Sequence, residues 1–293
     1  MDDPQWLAKQ FEAYRGHLRE VSYRMLGSLS EADDAVQEAW LRLCRSDASV
    51  VNNMGGWLTT IVARVCLDML RSRKLRAEEP IDPEDFRLLA GQDSVNAESE
   101  MQFADSIGVA VLVILDRLEP AERLAYVLHD IFDLPFGEIA HIVDRTPTAV
   151  RKLASRARQR LRGGARPFNS DLSRQRDIAE AFLAASRDGD FHALLKVLDP
   201  DVVLHADAAA ANAQASVEVR GASSVARGAQ AFSDRVRFAQ LGVVNGRIGV
   251  IIAPYGHLFV VLSLTIVRDK IAEIEVIGDS GRLTRLELAL LRE

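Results

Sequence analysis

The chain has 293 residues, of which 48% are hydrophobic and 27% charged, a balance suited to a soluble protein of two or three domains with real cores. Its formal charge of −6 excludes a uniformly basic, nucleic-acid-coating protein. A whole-chain sum leaves local basic patches open, however, and the local patch is what meets phosphate. The apolar stretch Leu258–Val267 is too short to span a bilayer and is interrupted by Ser263 and Thr265, so it reads as a buried strand. Met1-Asp2-Asp3-Pro4 shows no basic segment followed by an apolar run, and the expectation is a cytoplasmic protein without membrane contact. The two cysteines, Cys44 and Cys66, have no partner at metal-ligand spacing. Both read as small buried hydrophobes in a reducing compartment, and neither a metal nor a cofactor is expected.

Residues 1–76 read as a helical module. Leu18, Val21, Met25 and Leu26 recur at helical spacing, as do Ala35, Ala39, Leu41 and Leu43, and Ser30 is the expected N-cap of the second helix. A third helix covers Trp57 to Leu70, with Trp57, Ile61, Val65 and Leu67 broadly on one side. Residues 77–99, including Glu78-Glu79-Pro80-Ile81-Asp82-Pro83-Glu84-Asp85, lose all apolar period and read as an extended acidic linker.

Residues 100–165 are helical again. Ile107 to Leu118 is apolar on several sides and should be buried; Pro120 opens a helix that runs to about Phe132. Pro135 starts a short helix carrying Ile139 and Ile142, Asp144-Arg145 makes a tight turn, and Thr146-Pro147 caps a last helix that runs to about Arg162 and stops at Gly163-Gly164. A short helix, a tight turn and a capped second helix make a helix-turn-helix. The second helix carries Arg151, Lys152, Arg156, Arg158, Arg160 and Arg162 with no acidic residue among them, while Val150, Leu153, Ala154 and Ala157 supply its inward face. The first turns of a recognition helix reach base edges, which selects Arg151, Ser155 and Arg156 for base contact. Thr148, Lys152 and Arg158 are the candidates for phosphate. The bland alternative is a solvated arginine-rich helix on an ordinary bundle.

After a short linker at 166–173, residues 174–293 change character. Two helices at about 174–187 and 190–198 precede strand-like segments at Val202–Ala206, Val217–Arg220, Gly242–Asn245, Ile248–Ala253, His257–Arg268 and Lys270–Ile277. A helix is expected at about 222–236 and another at about 282–291, and Asn245-Gly246 and Asp269-Lys270 mark turns. The pattern predicts a curved antiparallel sheet packed against helices.

Two stretches resemble extracytoplasmic-function sigma factors, in order and separation. The first is Ser30-Glu31-Ala32-Asp33-Asp34-Ala35-Val36-Gln37-Glu38-Ala39-Trp40-Leu41-Arg42-Leu43, followed by Trp57-Leu58-Thr59-Thr60-Ile61-Val62-Ala63-Arg64 and Leu67-Asp68-Met69-Leu70-Arg71-Ser72-Arg73; it looks like sigma region 2. The second, Leu118 to Arg162, looks like region 4. The resemblance implies that Asp33, Asp34, Gln37, Glu38, Leu41 and Arg42 face the clamp helices of RNA polymerase core, with region 4 at the flap. It places α-helical arginines of region 4 at the −35 element. It assigns Asn52, Asn53, Trp57, Arg64, Arg71 and Arg73 to the −10 element, with core packing as the alternative role of Trp57.

Residues 174–291 resemble the SnoaL-like members of the cone-shaped α+β fold of nuclear transport factor 2, through Gly189-Asp190, Leu198-Asp199-Pro200-Asp201-Val202 and Arg220-Gly221. The fold class is therefore multidomain: two all-α helical modules followed by an α+β cone-shaped domain. A group of these sigma factors carries such an extension as a built-in regulator, which implies intramolecular contact between the SnoaL-like and sigma domains. Asp207-Ala208-Ala209-Ala210 and Gly278-Asp279-Ser280-Gly281-Arg282-Leu283 depart from the group's usual segments. His205, Tyr255 and His257 are the candidate ligand pocket. A non-enzymatic protein is expected; a helix-turn-helix regulator that acts without polymerase, or one fused to a small-molecule cyclase, stays open beside the sigma factor.

Overall fold

The computed structural model describes residues 4–45, 53–76, 108–161, 170–231, 236, 239–254 and 258–291. The expected linker at 77–99, and with it Asn52, Tyr255 and His257, lies outside the described residues. The contacts form two compact units: the described residues of Met1–Glu79 with Leu115–Arg160, and those of Pro80–Ile114 with Leu161–Glu293.

In the first unit, α1 (Pro4–Leu26), α2 (Leu29–Arg45) and α3 (Met54–Arg76) pack against one another. Leu18, Val21 and Met25 of α1, Ala32, Ala35, Ala39 and Leu43 of α2, and Leu58, Val62 and Cys66 of α3 are buried, as their helical spacing requires. Gly27 ends α1 with φ 80°, a conformation that costs a glycine little. The N-cap of α2 is Ser28 rather than the expected Ser30: its Oγ accepts from Glu31 N at 3.4 Å, because the helix begins at Leu29. Cys66 is buried, but Cys44 is exposed, since it follows the buried Leu43 onto the outer side of α2. Burial pushes the Cys66 thiol up to about 12.

The helix α4 (Val109–Asp116) is apolar nearly all round and buries Ala110, Leu112, Val113, Ile114 and Leu115; the division between the units falls within it. The first unit continues with α5 (Pro120–Tyr126), which opens on its proline and runs into a π-helical turn, Val127–Ile131. Then come α6 (Phe136–Val143) and α7 (Pro147–Leu161). Arg123 on α5 is 2% exposed. Its Nε donates to Arg24 O on α1 at 3.2 Å and its Nη1 to Asp116 at 3.1 Å, so one guanidinium ties α1 to α5. Burial lowers the pKa of Arg123, and the neighbouring Asp116 charge opposes that shift.

The second unit also holds α8 (Ser170–Asp188) and α9 (Phe191–Val197), followed by a seven-stranded sheet. Its strands are β1 (Leu198–Ala206), β2 (Val217–Arg220), β3 (Ala239–Val244), β4 (Arg247–Ile252), β5 (Val260–Val267), β6 (Lys270–Ile277) and β7 (Leu288–Leu290), in the spatial order β2-β1-β6-β5-β4-β3-β7. A short α10 (Ala208–Ala211) follows β1, α11 (Ala222–Ala231) follows β2, and α12 (Ser280–Arg285) follows β6. The sheet is mixed, not wholly antiparallel, because β1 pairs parallel with β6. Register shifts at Leu198/Val203 and Thr265/Ile266 bend it. Phe182, Leu194, Val202, Val225, Val250 and Ile274 belong to the core between its inner face and the helices.

Two turns and the C-terminal element show how local geometry set the outcome. Asn245 and Gly246 both take positive φ, 49° and 78°, as a two-residue hairpin requires. The β5–β6 turn is centred on Arg268 and Asp269, φ 49° and 62°, one residue earlier than expected. The expected helix at 282–291 ends at Arg285, and β7 takes its place beside β3. The reason is pairing with β3, which sets Leu288 opposite Val244, Ala289 opposite Val243 and Leu290 opposite Gly242 and buries Leu288 and Ala289. Asn245 N donates to Glu287 O, and Glu287 N to Asn245 Oδ1, which fixes that segment.

Candidate functional site

The helix-turn-helix is built by local chemistry. Asp144 closes α6 in the left-handed conformation, φ 54°, and Arg145 N donates to Ala140 O at 3.0 Å. Thr146 Oγ1 accepts from Ala149 N at 3.3 Å and caps α7, with Pro147 at its first position. Ile139, Ala140, Ile142 and Val143 of α6 are buried, as are Val150, Leu153, Ala154, Ala157 and Leu161 of α7. That burial leaves Thr148, Arg151, Lys152, Ser155 and Arg156 exposed on a face whose charges are all positive. Gln159, which the sequence reasoning did not single out, extends the same face. The Arg151 guanidinium lies 5.2 Å from the centre of the Phe136 ring, which steadies it while leaving it in solvent.

Arg158 stands apart from this face. It forms a two-pronged ion pair with Asp130 of the π-helical turn, at 2.5 and 3.1 Å, and is half-buried. Arg160 Nη1 lies 2.8 Å from the buried Glu122 carboxylate. Neither partner was foreseen, since nothing in the local pattern links residues 28 or more positions apart.

The α2 set forms one stripe. Asp33, Asp34, Gln37 and Leu41 are exposed, and Glu38 and Arg42 are half-buried and paired at 3.0 Å. Leu41 is 40% exposed, one of three large hydrophobic side chains so exposed among the described residues. Asp33 is paired with Arg19, at 2.7 and 3.0 Å. An acidic helix face with an apolar residue at its centre suits a basic helical partner.

The residues suggested for the −10 element divide. Asn53 is exposed, and its Oδ1 accepts from Gly56 N at 3.0 Å as the cap of α3. Trp57, Arg64 and Arg71 follow along one face of α3, at spacings of 7, close to two turns. Trp57 is half-buried; Arg64 is exposed, with Nη2 donating to His141 O of α6 at 2.8 Å; Arg71 lies 3.8 Å from Asp68. Arg73 faces elsewhere, because two residues on from Arg71 is about 200° round the helix. It is held by Glu31 and by the carbonyl of Leu26.

In the second unit, a cavity of about 280 Å³ lies between α8, α11 and the sheet, lined by Phe182, Leu204, Val219, Val250, Phe259 and Ile274 among others. His205 does not line it. Leu204 and Ala206 face the cavity, so strand alternation turns His205 to the opposite side, where it sits in a surface groove 3.5 Å from Glu218 and 3.9 Å from Glu273. Asp207 is also outside it. Its carboxylate caps α10 through Ala210 N at 2.9 Å and accepts from Gly278 N and Asp279 N at 3.1 Å and from Arg282 Nη1 at 3.3 Å. The two segments that depart from the resembling group's pattern thus meet at one carboxylate. Gly278 permits the meeting: a Cβ there would lie 2.7 Å from Ala210 N.

Residues 10–76 match the Sigma-70 region 2 family and residues 109–161 the Sigma-70, region 4 family. The chain is 32% identical over 287 residues to the probable ECF RNA polymerase sigma factor SigI of Mycobacterium tuberculosis, covering 96% of each. It is 35% identical over 254 residues to the ECF RNA polymerase sigma factor SigJ of the same organism, covering 82% of this chain and 79% of that one. The crystal structure of M. tuberculosis SigJ covers 94% of this chain and 98% of its own, at 28% identity and a TM-score of 0.43.

Proposed function

The chain belongs to the extracytoplasmic-function RNA polymerase sigma factors, and we propose that it initiates transcription by docking α2 on polymerase core while the exposed face of α7 reads the −35 element. The observation that carries the residue assignment is the exposed, one-signed face of Thr148, Arg151, Lys152, Ser155 and Arg156 on a capped helix of a helix-turn-helix. Arg151 and Arg156 are the side chains suited to two-pronged pairing with guanine, and Lys152 and Thr148 to phosphate. The stripe Asp33, Asp34, Gln37, Glu38, Leu41 and Arg42 meets the clamp helices, and region 4 meets the flap. Asn53, Trp57, Arg64 and Arg71 serve the −10 element from one face of α3; Arg73 shapes that module by holding Glu31. The protein works in the cytoplasm, where its polymerase is; among the described residues no helix is long and apolar enough to cross a membrane.

The SnoaL-like unit regulates the sigma modules in cis. Its own core and sheet support this role, since a separately folded body can respond to a signal without rebuilding the modules it controls. In vitro transcription with purified bacterial core polymerase tests both statements. The full chain should co-elute with core, shift promoter DNA strongly only with core present, and initiate at a defined site; a chain ending after about residue 165 should initiate at a changed rate. Promoter binding equally strong without core would favour an ordinary helix-turn-helix regulator, and turnover of a polyketide-like substrate would favour the cyclase reading.

A further inference from the structure

The cavity of the SnoaL-like unit has a chemistry that selects its occupant. It takes about 280 Å³ from residues spread between Phe182 and Val276, and among the described residues no charged side chain lines it. Among the described residues the side-chain hydroxyls on its wall are those of Ser186 and Ser224. Ser186 is 2% exposed and already donates to Phe182 O at 2.8 Å. The Ser224 hydroxyl has no hydrogen-bond partner among the described residues. A charged ligand entering this space would lose its water with nothing to replace it. A neutral apolar one would lose nothing, and one hydroxyl or carbonyl on it could reach Ser224.

The space is also kept open by the sequence. Ala206, Ala210, Ala211, Gly228 and Ala229 line it where larger apolar side chains would fill it. A Cβ on Gly228 would meet no heavy atom within 4 Å. An unfilled cavity destabilises a fold in proportion to its volume, so five small residues around one cavity work against stability unless something occupies it. Val217, a large hydrophobic side chain 39% exposed, is among the lining residues. The charged groups nearby, His205, Asp207, Glu218, Glu275 and Arg282, line an adjoining surface groove that shares Ala206 and Val217 with the cavity and are not on the cavity wall itself.

We propose that this cavity is a binding site for a neutral, lipophilic small molecule of about ten to twelve non-hydrogen atoms, such as a fused two-ring or medium-chain compound bearing at most one hydroxyl or carbonyl. The size follows from volume: a dry apolar cavity of about 150 Å³ takes benzene, and this one is roughly twice as large. Binding in this cavity requires no particular action of the unit on the sigma modules.

The experiment is calorimetric titration of the full-length protein with a matched series: naphthalen-1-ylmethanol, 1-naphthoate and 1-naphthylmethylammonium. The alcohol should bind saturably, one per chain, and at least tenfold more tightly than either ion. Ala229→Leu and Ala210→Leu, each checked for native circular dichroism and melting, should weaken the alcohol at least tenfold. If one variant does not fold, the other decides; if neither folds, the ranking of the three ligands on the native chain decides. No saturable binding of the alcohol, equal binding of the ions, or undiminished affinity in a folded, filled variant would overturn the proposal.

Discussion

Arg156 and Arg158 sit two residues apart on one basic helix, yet their surroundings differ. Arg156 is exposed, with its guanidinium on the open face of α7. A two-pronged guanidinium–guanine contact is worth about 1–3 kcal/mol of discrimination, so Arg156→Ala should weaken promoter binding by the holoenzyme about 5- to 150-fold. The loss should be concentrated on promoters that carry the contacted base. Arg158 is neutralised by Asp130 at 2.5 and 3.1 Å, with side-chain exposures of 33% and 19%. Arg158→Ala should cost about 1 kcal/mol of stability, since the pair is only partly screened from water. It leaves Asp130 unpaired near the DNA, so binding should weaken about equally on all promoters. The assay is competition between a panel of single-base −35 variants for holoenzyme, at several salt concentrations, with urea unfolding in parallel. If Arg158→Ala changes base preference and Arg156→Ala does not, the assignment of the two side chains from their burial and pairing is wrong.

The buried Arg123 gives a second test. Arg123→Ala leaves a cavity and an unpaired Arg24 carbonyl and should destabilise the first unit by about 3–5 kcal/mol; Arg123→Met retains the stem and should cost about half as much or less. Tryptophan fluorescence in urea reads this unit alone, because Trp6, Trp40 and Trp57 all lie in it; equal losses in the two variants would show that packing of the stem is irrelevant. In the native protein, Cys44 should react with iodoacetamide at pH 8, and Cys66, whose thiol burial raises to about 12, should stay unmodified until the unit unfolds. Mass spectrometry of tryptic peptides separates the two sites, and rapid native labelling at Cys66 would contradict its placement. Asp207→Ala removes the acceptor for Ala210, Gly278 and Asp279 N–H groups and should lower the stability of the SnoaL-like unit by about 2–3 kcal/mol. Hydrogen exchange at those amides checks it: unchanged protection would mean that the carboxylate is not their partner.

Most helices were legible in the residues because helix formation is governed by spacing and by end chemistry. Thr146-Pro147, Pro120 and the buried period of Val150, Leu153, Ala154 and Ala157 identify α5 and α7 before any fold is known. β2 and β6 fall where their β-rich runs predict them, Val217–Arg220 and Lys270–Ile277. The exposed face of α7 follows from the same arithmetic, since burying one side of a helix leaves the other in water. The segment at 282–291 misled because Leu286, Leu288 and Leu290 suit a helix by composition, and only pairing with β3 turns their alternation into a strand.

What the order of residues settled by itself was local: periods of burial, caps, turn positions, the one-signed recognition helix, and the motifs of two sigma modules. What the tertiary structure alone decided was which distant residues meet. It removed Arg158 and Arg73 from the free basic surface by giving them Asp130 and Glu31. It set β1 parallel to β6, turned His205 away from the cavity, and gathered an apolar wall from segments between Phe182 and Val276. The physical reason is that periodicity and capping depend on neighbours within a turn or two, whereas charge pairing, strand order and enclosed volume depend on how separate elements close upon one another.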